Sequence, residues 1–454
     1  MEIRKATLKE FATVVGCGPV GIRVAQVLIK RGFKVTQIDS GHSNYTANNR
    51  TKFNTNMSAS NKYIPHSISA SPPVNPWGGC LMGYRWETTV REQYKNIIEN
   101  LTERVFKETA EYFQVPHFDF STDTIIGSDT THFEGLKHSY GVFTPDPLLT
   151  EQRLKLQLSE NYTFISGQRV MGIEIKGKRN RIILQNLTSE KREILDAGLI
   201  FLCCGTIENS RILLKTAEWN EFSQGNLGEN LADHLALDIG IIKGPNLQSM
   251  REIFGSKTVS GHKVLPRFRL DDKGSTQEIV DSFLQVSSLD INMPASAKSL
   301  ISKNKVSRGL ARVIAPGEGI ATILFETKPN PKRNLKMNKV ENLELLDISF
   351  HLEESEFDEI LEKSHKFMDS LQSNSSLRVS KSLDKLKISD VKSSIHWSGT
   401  TTLGHNSILN PDLSTIWNKS IYALGANVLP RAIATHPTFI SVAIAQIACE
   451  LRIS

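Results

Sequence analysis

Cysteine is scarce in this sequence, and the five present (Cys17, Cys80, Cys203, Cys204 and Cys449) are odd in number and lack metal-ligand spacing. That excludes a disulfide framework and a cysteine-built metal centre, and points to small buried residues in a reducing compartment. No stretch offers the roughly 18 uninterrupted apolar residues that a membrane-crossing helix needs, so no integral span is expected. Met1 to Glu10 is charged and lacks the apolar run of a secretion signal, which reads as a cytoplasmic protein. Internal repeats and low-complexity tracts are also absent. The excess of positive charge is small, +6 over 454 residues; it permits attraction to an anionic substrate or surface, and no nucleic-acid partner is expected. Against these absences stands an ordinary globular composition, 39% hydrophobic and 22% charged, long enough for two or three structural units.

The most informative stretch near the start is Thr13-Val14-Val15-Gly16-Cys17-Gly18-Pro19-Val20-Gly21. It reads as a buried strand, a glycine turn and a helix from Ile22 to about Lys30 that stops at Gly32, followed by a strand from Lys34 to Ile38 that ends on Asp39 and Ser40. The order strand, Gly-x-Gly-x-x-Gly, helix, strand, acid is that of a dinucleotide-binding βαβ unit. Gly16 permits the tight turn, Gly18 lets a pyrophosphate approach the backbone, and Gly21 lets helix and strand pack closely. Asp39 is placed to accept hydrogen bonds from ribose hydroxyls. The plainer reading is a βαβ unit whose glycines serve packing alone.

Further along, Pro72, Pro73 and Pro76 stiffen a loop that runs through Trp77-Gly78-Gly79-Cys80-Leu81-Met82-Gly83, where the paired glycines allow close approach to something flat. A single helix is expected from Arg91 to Phe113. Gln168–Glu174 opens a β-meander through Ile182–Leu184 and Arg192–Leu195, and leads to the apolar strand Gly198–Gly205 and a helix from Thr206 to Leu214. The junction at Cys204-Gly205 is a second place where backbone can meet a cofactor, or simply another turn of a parallel sheet. Strands expected at Val264–Leu270, Ile279–Ser287, Ala321–Glu326 and Leu343–Leu352 alternate apolar and polar residues, as in one antiparallel sheet beside a cleft. A helix capped by Ser355 is expected from Glu356 to Leu371. The basic segment 298–312 reads first as a solvated surface and second as a lid over an anionic substrate.

The C-terminal part carries His396-Trp397-Ser398-Gly399-Thr400, then Gly425-Ala426-Asn427, then His436-Pro437-Thr438 before an apolar run from Phe439 to Ala448. Pro437 suits a first helical position, which puts His436 at the positive end of a buried helix. His234, His351 and His405 carry no assignment.

Taken in order, these segments resemble the glucose–methanol–choline oxidoreductases, and the resemblance adds Arg169-Val170, Cys204 to Leu213, Asn226 to His234 and Glu326 to Pro331. The C-terminal phrases are most similar to the pyranose oxidase branch. The resemblance implies an α/β fold: a discontinuous Rossmann-like FAD-binding domain over 1–239, with substrate-domain residues around 84–160, an α+β substrate-binding domain with an antiparallel sheet over 240–394, and a return to the first domain over 395–454. It implies His396 as catalytic base with His436 as its partner. It also implies FAD contacts from Gly16, Gly18, Pro19, Val20, Gly21, Asp39, Ser40, Trp77, Gly78, Gly79, Val170, Cys204, Gly205, Gly425, Ala426, Asn427, Pro437 and Thr438. Gly83 stands where pyranose oxidase has its flavin-linked histidine, so noncovalent FAD is expected. The implied activity is oxidation of an alcohol, on a sugar or sugar derivative, with oxygen, a quinone or a protein carrier as acceptor and no metal. A flavin-dependent lyase of the same fold and a non-catalytic nucleotide-binding protein stand as the alternatives.

Overall fold

Two short strands rich in β-branched residues, β1 (Phe11–Val15) and β2 (Lys34–Ile38), flank a helix, α1 (Pro19–Lys30), that buries Ile22, Val24, Ala25, Val27 and Leu28. The computed structural model describes residues 11–41, 51–58, 78–84, 86, 91–121, 133–177, 179–270, 282–287, 317–327, 329–340, 343–380, 383–432 and 435–453. Trp77 and the basic segment 298–312 lie outside them. The helix starts at Pro19, a turn earlier than the Ile22 start expected, because proline at the first position has its φ preset and no N–H to satisfy. Packing at the turn is close: a Cβ on Gly21 would lie 2.1 Å from the Gly16 carbonyl oxygen, and one on Gly16 would lie 2.5 Å from that of Cys203.

β1 and β2 belong to a five-stranded parallel sheet in the order Ile421–Ala423, Leu199–Leu202, β1, β2, Tyr162–Ile165. The C-terminal helix Thr438–Ile453 packs on α1, where Arg23 donates to the Gln446 amide oxygen at 2.7 Å. Helix Gly205–Asn220 follows strand Leu199–Leu202 and extends six residues beyond the expected Leu214. It is covered by the meander Gln168–Lys176, Arg179–Asn186, Arg192–Ala197, whose first strand bulges between Val170 and Gly172; the Trp219 ring lies against Gly172, 2.6 Å from where a Cβ would sit.

The second large sheet is antiparallel and runs Arg378–Ser380, Leu235–Gly244, Gly317–Phe325, Ser282–Ser287, His262–Leu270, Leu136–Phe143, Cys80–Leu81. Phe268, Leu284, Ile323 and Leu237 form a cross-strand row that is fully buried, with Phe268 edge-on to Phe254 of helix Leu247–Phe254. One residue over, the row Ser139, Arg267, Gln285, Thr322, Asp238 faces the opposite way, as the two-residue period of a strand requires.

Three local expectations need correction. Arg91–Phe113 is two helices, Lys95–Asn100 and Glu103–Tyr112, because Thr102 takes an extended N-cap conformation between them. Leu343–Ser349 is not in the large sheet; it pairs with Asn334–Val340 and, in parallel, with Thr51–Asn54. The long helix is Glu354–Gln372, and its cap is a reciprocal box between Glu353 and Glu356 in place of Ser355, since a carboxylate one turn earlier reaches the free backbone donors.

Because the atom facing Gly21 is backbone and cannot swing aside, Gly21→Ala is expected to lower the unfolding free energy by about 2 kcal/mol or more. Urea denaturation measures this, and an unchanged midpoint would refute the close-packing account of Gly21.

Candidate active site

The site begins with a carboxylate. Asp233, buried at the end of the segment that leads into strand Leu235–Gly244, accepts hydrogen bonds from the Ser393 hydroxyl at 2.5 Å and from the backbone N–H groups of Ile395 and His396 at 3.2 and 2.9 Å. An antiparallel bridge between Ala232 and Ser398 continues the seam. Beyond it, the Trp397 carbonyl accepts from Thr206 at 2.6 Å, tying the segment to helix Gly205–Asn220. Burial raises the Asp233 carboxyl to about 6, against the opposing pull of those hydrogen bonds.

The seam places two histidines face to face. The rings of His234 and His396 stack with centroids 4.4 Å apart at 22°. His436, just before the N-terminus of helix Thr438–Ile453, turns its Nδ1 to His396 Nε2 at 3.2 Å. Protein surrounds His396 and His436 although both keep some accessible surface, and the consequence is electrostatic. Burial, helped by the Arg267 guanidinium, lowers His396 to about 4. Burial, then His396, Arg267 and His234, hold His436 well below the usual imidazole value. The pair is therefore neutral at physiological pH, with one nitrogen able to accept a proton and its neighbour able to donate a hydrogen bond. The ligand atoms of the three histidines lie within 4.8 Å of one another, close enough to hold a metal ion, but the positive charge of Arg267 beside them opposes a cation there.

Glycine backbone lies open at three of the positions that sequence reasoning singled out. A Cβ on Gly18, Gly78 or Gly205 would meet nothing within 4 Å, although each lies in a segment otherwise well packed. Such bare backbone at one turn, one loop and one helix start fits an extended group with a pyrophosphate and a flat ring. Asp39 closes the turn: one oxygen accepts from the Cys17 N–H at 2.7 Å and the other from the Gly41 N–H at 2.9 Å, and the Cys17 thiol bonds the same carboxylate. Pro19 and Val20 begin α1, and Ser40 follows Asp39 at partial exposure. Gly79 carries a positive φ of 72°. Val170 lies buried at the meander bulge, its carbonyl taken by Arg211. Cys204 is fixed through its N–H and thiol to the Asn209 side chain. Asn427 is locked by Asn209 and Thr401, so only the backbone of Gly425-Ala426-Asn427 is left to face a ligand. Pro437 and Thr438 stand at the half-buried start of the last helix.

No family profile matches the chain, and no curated protein does. Solved structures do. A pyridoxine 4-oxidase from Mesorbium loti superposes with a TM-score of 0.59 at 13% identity, covering 97% of this chain and 98% of its own. A fungal aryl-alcohol oxidase gives 0.56 at 11% identity, with 98% of each chain covered. A formate oxidase gives 0.59 at 11%, with 97% of each covered. All three are named as oxidases. At these identities the likeness shows a shared fold over nearly the whole length.

Sequence reasoning chose His396 and His436, and the structure brings them into contact. It left His234 unassigned, and it gave no role to Asp233 or Arg267. The Asp233-His234 pair inside Asn230–His234 was the available signal. Arg267 had none, since a lone arginine in an alternating strand looks like any exposed charge.

A carboxyl raised by burial favours folding while protonated, below its unfolded value near 3.8, and that advantage fades as pH rises through about 6. Asp233→Asn removes the effect. The difference in unfolding free energy between variant and parent is therefore expected to move by about 3 kcal/mol in the variant's favour between acid and neutral pH. Denaturant melts at several pH values measure it; a pH-independent difference would refute the assignment.

Proposed function

We propose that the protein is an FAD-dependent oxidoreductase of the glucose–methanol–choline type that oxidises an alcohol group, on a sugar or sugar derivative as the pyranose-oxidase-like C-terminal phrases favour. The observation that carries this reading is the neutral His396–His436 pair at 3.2 Å. The division into a cofactor-binding part (1–239 and 395–454) and a substrate part (240–394) follows the same reading. FAD, held noncovalently along Gly16–Gly21, Asp39, Gly78-Gly79, Gly205 and the Gly425 turn, supplies the acceptor for the hydride that leaves the carbinol carbon.

The residues of the chain do the rest. His396 takes the hydroxyl proton, and His436 orients the same hydroxyl through the nitrogen facing it. Withdrawing that proton as the carbon–hydrogen bond breaks leaves a carbonyl product and balances the reaction. His234, stacked on His396, fixes the ring plane, and Asp233 fixes the backbone that carries it. The positive end of helix Thr438–Ile453 favours negative charge developing beside His436. No disulfide joins the five cysteines, which accords with a cytoplasmic setting, and no helix among the described residues is long and apolar enough to cross a membrane. Oxygen, a quinone or a protein carrier completes the cycle.

The test is the anaerobic visible spectrum of purified protein with a panel of sugars and alcohols. Bleaching of a yellow protein supports the reading, and a protein that can neither hold nor be reconstituted with FAD overturns it. In such an experiment His396→Ala should keep flavin bound while slowing reduction by about 10²–10⁴-fold; reduction at the parent rate would remove His396 as base.

The lowered His396 value also sets a pH dependence. A base must be unprotonated, and this one stays so down to about 4. The kcat/KM for flavin reduction should therefore show no His396 step near 6.5, and should fall about tenfold per pH unit below 4. A step near 6.5 that is absent from His396→Gln would contradict the neutral pair.

A further inference from the structure

The sheet face turned to the histidines holds a charge that alcohol oxidation alone does not use. Arg267 is 4% exposed, between Ser139 and Gln285 in the row Ser139, Arg267, Gln285, Thr322, Asp238. Its Nη1 donates to the Gln285 amide oxygen and its head group rests on the Cys80 thiol. Its Nε, fully withdrawn from solvent, donates to nothing. Directly across the strand pair, the Ser139 hydroxyl is also buried and unpartnered. No carboxylate among the described residues neutralises the guanidinium. Asp238 stands three strands away, roughly 14 Å at ordinary strand spacing, and is already held by Lys392 and Thr322, each at 2.7 Å.

A buried guanidinium without a counter-charge is unfavourable by several kcal/mol, and a second unsatisfied donor beside it compounds the imbalance. Position gives the imbalance a purpose. A Cβ on Gly141 would lie 2.7 Å from Cys80 Sγ and 3.9 Å from Arg267 Nε, so the guanidinium sits over the residue that follows Gly78-Gly79. From there its charge reaches both imidazoles of the pair. A ligand whose hydroxyl lies at His396 would thus have Arg267 and Ser139 beside it, both donors and together carrying one positive charge.

We propose that Arg267 and Ser139 form a carboxylate-binding subsite, so that the alcohol oxidised here is an alcohol acid, a sugar acid among them. This rests on the alcohol-oxidation reading for its substrate class, while the anion subsite itself rests on the two unsatisfied donors. A carboxylate accepts from the Nε edge of the guanidinium and from the hydroxyl, and supplies the missing charge. The subsite selects the substrate and positions it; the proton still moves to His396.

The experiment is calorimetric titration of the flavin-loaded protein with acetate, benzoate and D-gluconate. At least one should bind the parent protein, at least about 100-fold more weakly to Arg267→Met, at an intermediate level to Arg267→Lys, and several-fold more weakly to Ser139→Ala. Ser139→Ala keeps the charge intact and serves as the second variant if Arg267→Met does not fold. Failure of the parent to bind any of the three, or equal binding by Arg267→Met, would overturn the subsite. In parallel, flavin bleaching by D-gluconate is compared with that by D-sorbitol, which differs only at the acid carbon. The preference for gluconate should collapse in Arg267→Met. Arg267-dependent carboxylate binding with no bleaching by any alcohol would remove the alcohol reading and leave the subsite standing.

Discussion

Three hydrogen bonds to one buried carboxylate hold the centre of this molecule together. Asp233 has no cation beside it in the seam; it is solvated by a hydroxyl and two backbone N–H groups contributed by residues some 160 positions further along the chain. That arrangement fixes where the segment Ser393–Ser398 crosses the start of the antiparallel sheet. The stacking of His234 on His396 follows from it, and so does the approach of His396 to His436. A set of hydrogen bonds to one side chain thereby sets the relative position of His234, His396 and His436.

Electrostatically the centre is one-sided. Burial makes the imidazoles neutral, Asp233 spends its charge on a hydroxyl and backbone donors, and Arg267 adds positive charge with no carboxylate among the described residues to offset it. The buried ion pair of Arg431 with Glu326 nearby shows the usual arrangement, with both partners withdrawn from solvent together. Arg267 departs from it. Such an arrangement keeps His396 and His436 unprotonated and favours electron-rich groups beside them.

Much of this was legible in the sequence, and the part that was not has a physical reason. The glycine turn, the strands around it and the apolar C-terminal helix are local patterns in which neighbouring residues specify the element, and they appear within a turn or so of where periodicity puts them. The break at Thr102 and the cap at Glu353 went unread because a single side chain reaching a backbone donor decides each. Sheet membership was harder. Leu343–Ser349 alternates like its neighbours in sequence, yet pairs with Thr51–Asn54 from the opposite end of the chain. The histidine pair was accessible only through resemblance, and Arg267 not at all, because what distinguishes it is that no carboxylate among the described residues stands beside it in space.

The parallel sheet carries one further consequence. Its strand order sets Ile421–Ala423 beside Leu199–Leu202, and the last helix lies across the first. A chain emerging from the ribosome makes its glycine turn early and His396 and His436 late, so β1 and β2 exist long before their sheet gains the edge strand Ile421–Ala423. Hydrophobic surface on α1 stays uncovered until helix Thr438–Ile453 docks on it. Folding is thus ordered by topology: the parallel sheet gains its edge strand and α1 its covering helix in the same late stage that brings His396 to His436.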